Sequence, residues 1–455
     1  MRFGKSVLAG AVLAVMMIGG SVCQAAPGDP WIMKPVEKLG RGIANVAFGP
    51  LELLMKGWDV TQEQGGIAGV TAGFKRSGAP DFAMIASDVP ANFAGAFTSC
   101  TFAAAPVQVC RKRVLESEYL RAAAINSGNA NACTGATGIA NAERTCELVA
   151  VRLGVKPEEV AVSSTGRIGV QMPMATIERG IDLAAAALSD KGGPTAAEAI
   201  MTTDTVPKSV ALQLEIGGKT VTIGAMTKGA GMIDPAMTVP HATMLCYITT
   251  DVKADNALLR DMIGANVADS FNRITVDGDM STNDTTIVMA NGLSGIELKA
   301  GTPEAALFQE ALLTVMQDLA RRMVMDGEGA TKFVTVKVVH SRSKENAKLC
   351  AEAVANSLLC KTAWFGGDPN WGRVVAALGY SGATFDPDKT DIYYDGMPVV
   401  RQGGDAGTPE SALCGIVKQR EFTVLVDQNE GDAEYWVWTS DISYEYVKIN
   451  ADYHT

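Results

Sequence analysis

Residues 209–216, SVALQLEI, and the KTVTIG that follows Gly217-Gly218 leave the chain little conformational choice. Val210, Leu212, Leu214 and Ile216 share one face of an extended segment, because successive side chains of a strand point to opposite sides. A Gly-Gly pair supplies the positive φ that a two-residue hairpin loop requires, so two antiparallel strands with one buried face are expected. TKFVTVKVV (331–339) and EFTVLV (421–426) alternate in the same way. Helices are expected at 137–153, 303–325 and 343–361. The last begins at Ser343, a good N-cap, and stacks Ala347, Cys350, Ala351, Val354, Ala355 and Leu358 on one stripe. Strands and helices come in blocks rather than in strict βα alternation. That argues against a doubly wound sheet and for a layered α/β (α+β) fold of mixed sheets with helices on the outer faces.

Composition narrows the function classes. The 455 residues are 47% hydrophobic and 20% charged, ordinary for a globular enzyme. A net charge of −11, with no Lys/Arg run to reverse it locally, disfavours nucleic acid and anionic membrane as partners. No stretch reaches the 18 apolar residues of a membrane span. The N-terminus is unusual: Arg2 and Lys5 precede VLAGAVLAVMMI, and small residues follow at Cys23 and Ala25. Residues 1–25 therefore read as a secretory leader, cut after Ala25, and 26–65 as a linker-like preface. Eight of the nine cysteines lie beyond the leader without a C-x-x-C spacing, so they read as buried small hydrophobes, and no metal is expected.

The stretch PHATMLCYITTDV (240–252) carries the sharpest chemical reading. A threonine hydroxyl is a poor nucleophile without a base beside it. Scission between Ala242 and Thr243 would supply one, because a free α-amine has a pKa of about 7.7–8.0 and accepts a proton near neutrality. The same hydroxyl can make the cut by attacking the preceding carbonyl, and Ala242 is small enough to allow that approach.

KGAGMIDPAM followed by ATMLCYITTD resembles the glutamate/ornithine N-acetyltransferase family of arginine biosynthesis. Further segments agree in order: NSGNANACTG (126–135), SSTGRIG (163–169), AIMTTDT (199–205), STNDTTIVMANG (281–292), DGEGATK (326–332), GGDPNWGRVVAALGYSG (366–382) and the terminal INADYHT. The resemblance covers about 390 residues and implies the fold shared with self-cleaving aminopeptidases. It implies a precursor that cuts itself into an alpha chain, 66–242, and a beta chain, 243–455, which stay together as a heterotetramer of two of each. Acetyl would be carried as an ester on Thr243, in a ping-pong exchange. N-acetylornithine gives up acetyl, ornithine leaves, and glutamate departs as N-acetylglutamate. No cofactor is implied, and acetyl-CoA as an additional donor is left open. Thr165 and Gly166 match the family's oxyanion-hole pair, and Thr202, Lys228, Glu328, Asn450 and Thr455 match its substrate-lining positions.

Two departures stand out. Lys228 and Thr243 are separated by four more residues than is usual in the family, best placed as TVPH (238–241). The leader points to export, whereas the family's role points to the cytoplasm. Two rival readings accompany the acetyltransferase: a related self-cleaving aminopeptidase or amidohydrolase, and an uncleaved exported binding protein.

Overall fold

The computed structural model describes residues 65–236 and 244–452, together with the short strands Met16–Ile18 and Leu54–Lys56. Ala242, Thr243, Thr455, the TVPH segment and most of the leader and preface lie outside the described residues. Before position 243 the chain supplies β1 (Met16–Ile18), β2 (Leu54–Lys56), β3 (Gly65–Val70), β4 (Phe82–Phe97), β5 (Leu120–Asn129), β6 (Val160–Arg167), β7 (Lys208–Ile216) and β8 (Lys219–Lys228). After it come β9 (Leu245–Thr250), β10 (Ile274–Thr275), β11 (Thr285–Ala290), β12 (Phe333–Ser341), β13 (Asp391–Tyr394), β14 (Met397–Arg401), β15 (Gly404–Asp405), β16 (Glu421–Asp427) and β17 (Ala433–Ser440).

These strands form two mixed sheets. The larger runs β2-β1-β7-β8-β9-β11-β4-β5-β6, with β3 also paired to β4; the smaller runs β10-β17-β12-β16-β13-β14-β15. The expected hairpin is β7–β8: Ile216 pairs with Lys219, and Gly217 and Gly218 turn the chain at φ 58° and 76°. β4 joins two halves of the larger sheet. Its first part pairs with β3 and β5, its register shifts between Ala86 and Ala91, and its last part pairs with β11.

Three apolar clusters follow from this layering. One lies between the two halves of the larger sheet, where Met226, Leu245, Tyr247 and Ile287 meet Ala122–Ile125 neighbours of β5 and Val160 of β6. The second lies on the far face of β7–β9, under the helices Asn256–Ala268 and Pro303–Met325. The third joins the smaller sheet to the helices Lys344–Ala355, Leu358–Gly366 and Trp371–Gly379. The layered mixed-sheet reading of the sequence is therefore the fold observed.

One expected element is corrected. The helix predicted over 343–361 is two helices, ending at Ala355 and restarting at Leu358. Asn356 and Ser357 cause the break, because their side chains offer the backbone local alternatives to a helix. Thr275 Oγ1 donates to Asn356 Oδ1 at 2.6 Å, and Ser357 Oγ caps the second helix by accepting from Cys360 N at 3.3 Å. Leu358, placed on the buried stripe by its spacing, is instead exposed. A smaller shift occurs at 331–339, where the strand begins only at Phe333. The N–H groups of Thr331 and Lys332 are taken by the Asp441 carboxylate at 2.7 and 2.8 Å.

Among the described residues the cysteines are free, and Cys110, Cys146, Cys246, Cys350 and Cys360 are buried. No group of three or more His, Cys, Asp or Glu among them is placed to hold a metal ion. No helix among them is long and apolar enough to cross a membrane.

Candidate active site

Strand pairing builds the site. β8 ends at Lys228, which pairs with Leu245, the first residue of β9; Leu245 pairs in turn with Thr285 at the start of β11. Alternation places Lys228 on the same face as Met226, the face packed against β4–β6. The end of β6 lies opposite, and there the Lys228 ammonium donates to Thr165 Oγ1 at 3.1 Å.

A cavity of about 760 Å³, its mouth included, opens at this point. Thr165, Gly166, Thr202, Lys228, Glu328 and Asn450 all line it, although they come from widely separated parts of the chain. The structure thus brings together every described residue that the sequence motifs singled out. Met244, directly after Thr243, lines the same cavity.

Local geometry explains several identities. Gly166 has φ +128°, and a Cβ there would meet the Gly128 carbonyl carbon at 2.4 Å and Asn129 N at 2.7 Å, so only glycine fits against β5. The Tyr444–Asp452 helix carries Asn450 to the cavity, where its amide donates to Glu328 Oε2 at 2.7 Å. That helix is anchored near its start, as Ser443 Oγ donates to the Gly329 carbonyl at 2.7 Å.

The electrostatics are dominated by burial. Lys228 is pressed below the usual lysine range by desolvation, which Asp204, Asp284 and Glu328 oppose and Lys208 reinforces. Asp204 accepts from Lys208 Nζ at 2.7 Å, from Gly229 N at 2.7 Å and from Thr202 N at 3.0 Å. Its burial alone would raise the carboxyl, but Lys208 and then Lys228 hold it down at about 2. Asp284 shows the opposite balance. Burial pushes its carboxyl well above the carboxylate range, and the pull of Lys228 does not restore it. Among the described residues its Oδ2 is buried without a hydrogen-bond partner.

Asp284, in the cavity lining, and Asp204, which holds Lys208 and Gly229 beside it, are carboxylates that sequence reasoning missed. Both lie inside quoted motifs, AIMTTDT and STNDTTIVMANG. DGDMSTND (277–284) reads as an acidic turn feeding a strand, which β11 is, yet Ser281, Thr282, Asn283 and Asp284 also line the cavity.

A concave site with a half-buried lysine, an acid–amide pair and a hydroxyl at a strand end fits an enzyme acting on a small polar molecule. The ArgJ family model matches residues 66–455, and the chain belongs to this family. It is 47% identical over 391 residues to the arginine biosynthesis bifunctional protein ArgJ of Symbiobacterium thermophilum, covering 85% of this chain and 96% of that one. With ArgJ of Geobacter sulfurreducens the identity is 48% over 388 residues, covering 85% and 98%. With the glutamate N-acetyltransferase of Methanocaldococcus jannaschii it is 44% over 402 residues, covering 85% and 98%. Among solved structures, an ArgJ chain from Bacillus halodurans aligns at 36% identity over 46% of this chain and 98% of that one, with a TM-score of 0.44.

Proposed function

We propose that this enzyme is a glutamate N-acetyltransferase of arginine biosynthesis, moving acetyl from N-acetylornithine to glutamate through an ester on Thr243. Family membership and the names of its relatives support the reaction, and the convergence of the motif residues on one cavity carries the site.

The chain cuts itself between Ala242 and Thr243, giving an alpha and a beta chain that assemble as a heterotetramer of two each in the cytoplasm. Met244, the residue after Thr243 in the chain, lines the cavity, which supports this reading. The freed amine takes the proton of the Thr243 hydroxyl as that oxygen attacks the acetyl carbonyl. The tetrahedral oxyanion is met by the Thr165 hydroxyl and the Gly166 N–H; one such donor is worth about 10²–10³ in turnover. The intermediate collapses with the proton passing to the departing ornithine amine. Glutamate then attacks the ester by the reverse sequence, leaving Thr243 free. Thr202, Glu328, Asn450 and Thr455 hold the amino acid, with Lys228 in the cavity lining. Donor and acceptor share one site because each has a carboxylate beside the nitrogen that carries or receives acetyl.

Two measurements test the proposal. Purified protein should give two bands on a denaturing gel, the smaller beginning with Thr243 by N-terminal sequencing. It should transfer acetyl from N-acetylornithine to glutamate, and Thr243→Ala should abolish both. An intact polypeptide in active material would exclude the mechanism.

A further inference from the structure

Lys228 has a second role that its place among the substrate-lining residues does not describe. An ammonium carries three N–H donors and no acceptor, so in its 3.1 Å contact with Thr165 the lysine donates and the hydroxyl oxygen accepts. The hydroxyl proton is therefore directed away from Lys228, and among the described residues it finds no acceptor. It lies in the cavity lining beside Gly166. Both partners are held firmly. Lys228 ends β8 in register with Leu245, the next residue's N–H is fixed by Asp204 at 2.7 Å, and Thr165 is locked in β6 against Ser127 of β5.

We propose that Lys228 is a positioning residue of the oxyanion hole: by donating to Thr165 Oγ1 it orients the hydroxyl so that the Thr165 proton meets the acyl oxygen as negative charge develops there. No bond to Lys228 forms or breaks, and the threonine proton stays on Thr165 as a hydrogen bond. The half-buried cation, in the same cavity lining as Thr165 and Gly166, also favours negative charge developing there. The inference rests on the acetyl-transfer reading given above and assigns Lys228 mainly to the transition state rather than to a substrate carboxylate.

A double-mutant cycle separates these roles. Lys228→Met and Thr165→Val are made singly and together, and kcat is measured per Thr243 terminus counted by mass spectrometry. Each single change is expected to lower kcat by about 10²-fold. The KM for glutamate should change by less than about threefold, and the double variant should lose no more than about threefold beyond the worse single one. Thr165→Ser, which keeps the hydroxyl, should retain activity and remain sensitive to Lys228→Met. The inference is overturned if the two losses multiply to about 10⁴-fold. It is equally overturned if Lys228→Met raises KM while kcat holds, because the lysine is then a carboxylate clamp. Should a variant remain uncut, Lys228→Gln or Thr165→Ala, which also remove the ammonium or the hydroxyl, completes the cycle in its place. Failure of the underlying function is distinguishable, since it is read on the unmutated protein as absent cleavage or absent transfer.

Discussion

A Cβ placed on Gly231 would lie 2.4 Å from the Glu328 carboxylate, the far end of a flexible side chain. Gly231→Ala should therefore displace Glu328 and leave the backbone intact. The carboxylate would then be misplaced for the amino acid that it is proposed to hold, a loss of about 1.5 kcal/mol of binding if one charge-assisted hydrogen bond to substrate goes. The expected result is a rise of about tenfold in the KM for glutamate with a nearly unchanged melting temperature, checked by steady-state kinetics and thermal unfolding. Asp204 gives a second prediction at this scale. Its folded carboxyl stands at about 2, below the unfolded value, so the stability it contributes is complete above about pH 4 and lost as pH falls through 2. Melting temperatures measured from pH 5 to 2.5 should fall less steeply for Asp204→Asn than for the parent. Glu328 and Asn450 could be read from their motifs, whereas Asp204 could not. TTD in isolation reads as turn chemistry. The carboxylate matters because folding buries it beside Lys208 and Gly229, and the sequence carries no local sign of that burial.

At the scale of elements, alternation was a dependable guide because it records which face is buried. Val210, Leu212, Leu214 and Ile216 are all inaccessible, and the Gly-Gly loop sits where the hairpin demands it. Strand order was not legible. β4 meets β11 through contacts made far along the chain, which no local pattern encodes. The divided helix at 356–357 shows how apolar spacing can mislead when a pair of capping residues interrupts it. Ser357→Ala removes the Oγ that accepts from Cys360 N, and it should cost about 1 kcal/mol. Chemical denaturation should register this as a lower midpoint with an unchanged slope, while turnover is retained because the cap lies outside the cavity lining. An unchanged midpoint would mean that Asn356 alone ends the first helix.

For the whole molecule, the consequence of scission before Thr243 depends on what spans that position. β8 lies before it and β9 after it, yet they pair along six residues from Ile223↔Thr250 to Lys228↔Leu245. β4 and β11, again from opposite sides, pair along six more. The apolar cluster between the sheet halves draws Met226 from one side and Leu245, Tyr247 and Ile287 from the other. Separating the fragments would expose this core and strip two ladders of their partners, so cutting the peptide bond removes a covalent link without creating a removable subunit. The fragments should co-elute in native gel filtration at any dilution that can be detected, and part only in denaturant. Their unfolding should follow one transition by both tryptophan fluorescence and far-UV circular dichroism, because the larger sheet draws strands from both fragments and is complete in neither alone. Fragments that separate under native conditions would mean that these shared ladders do not hold the sheet together.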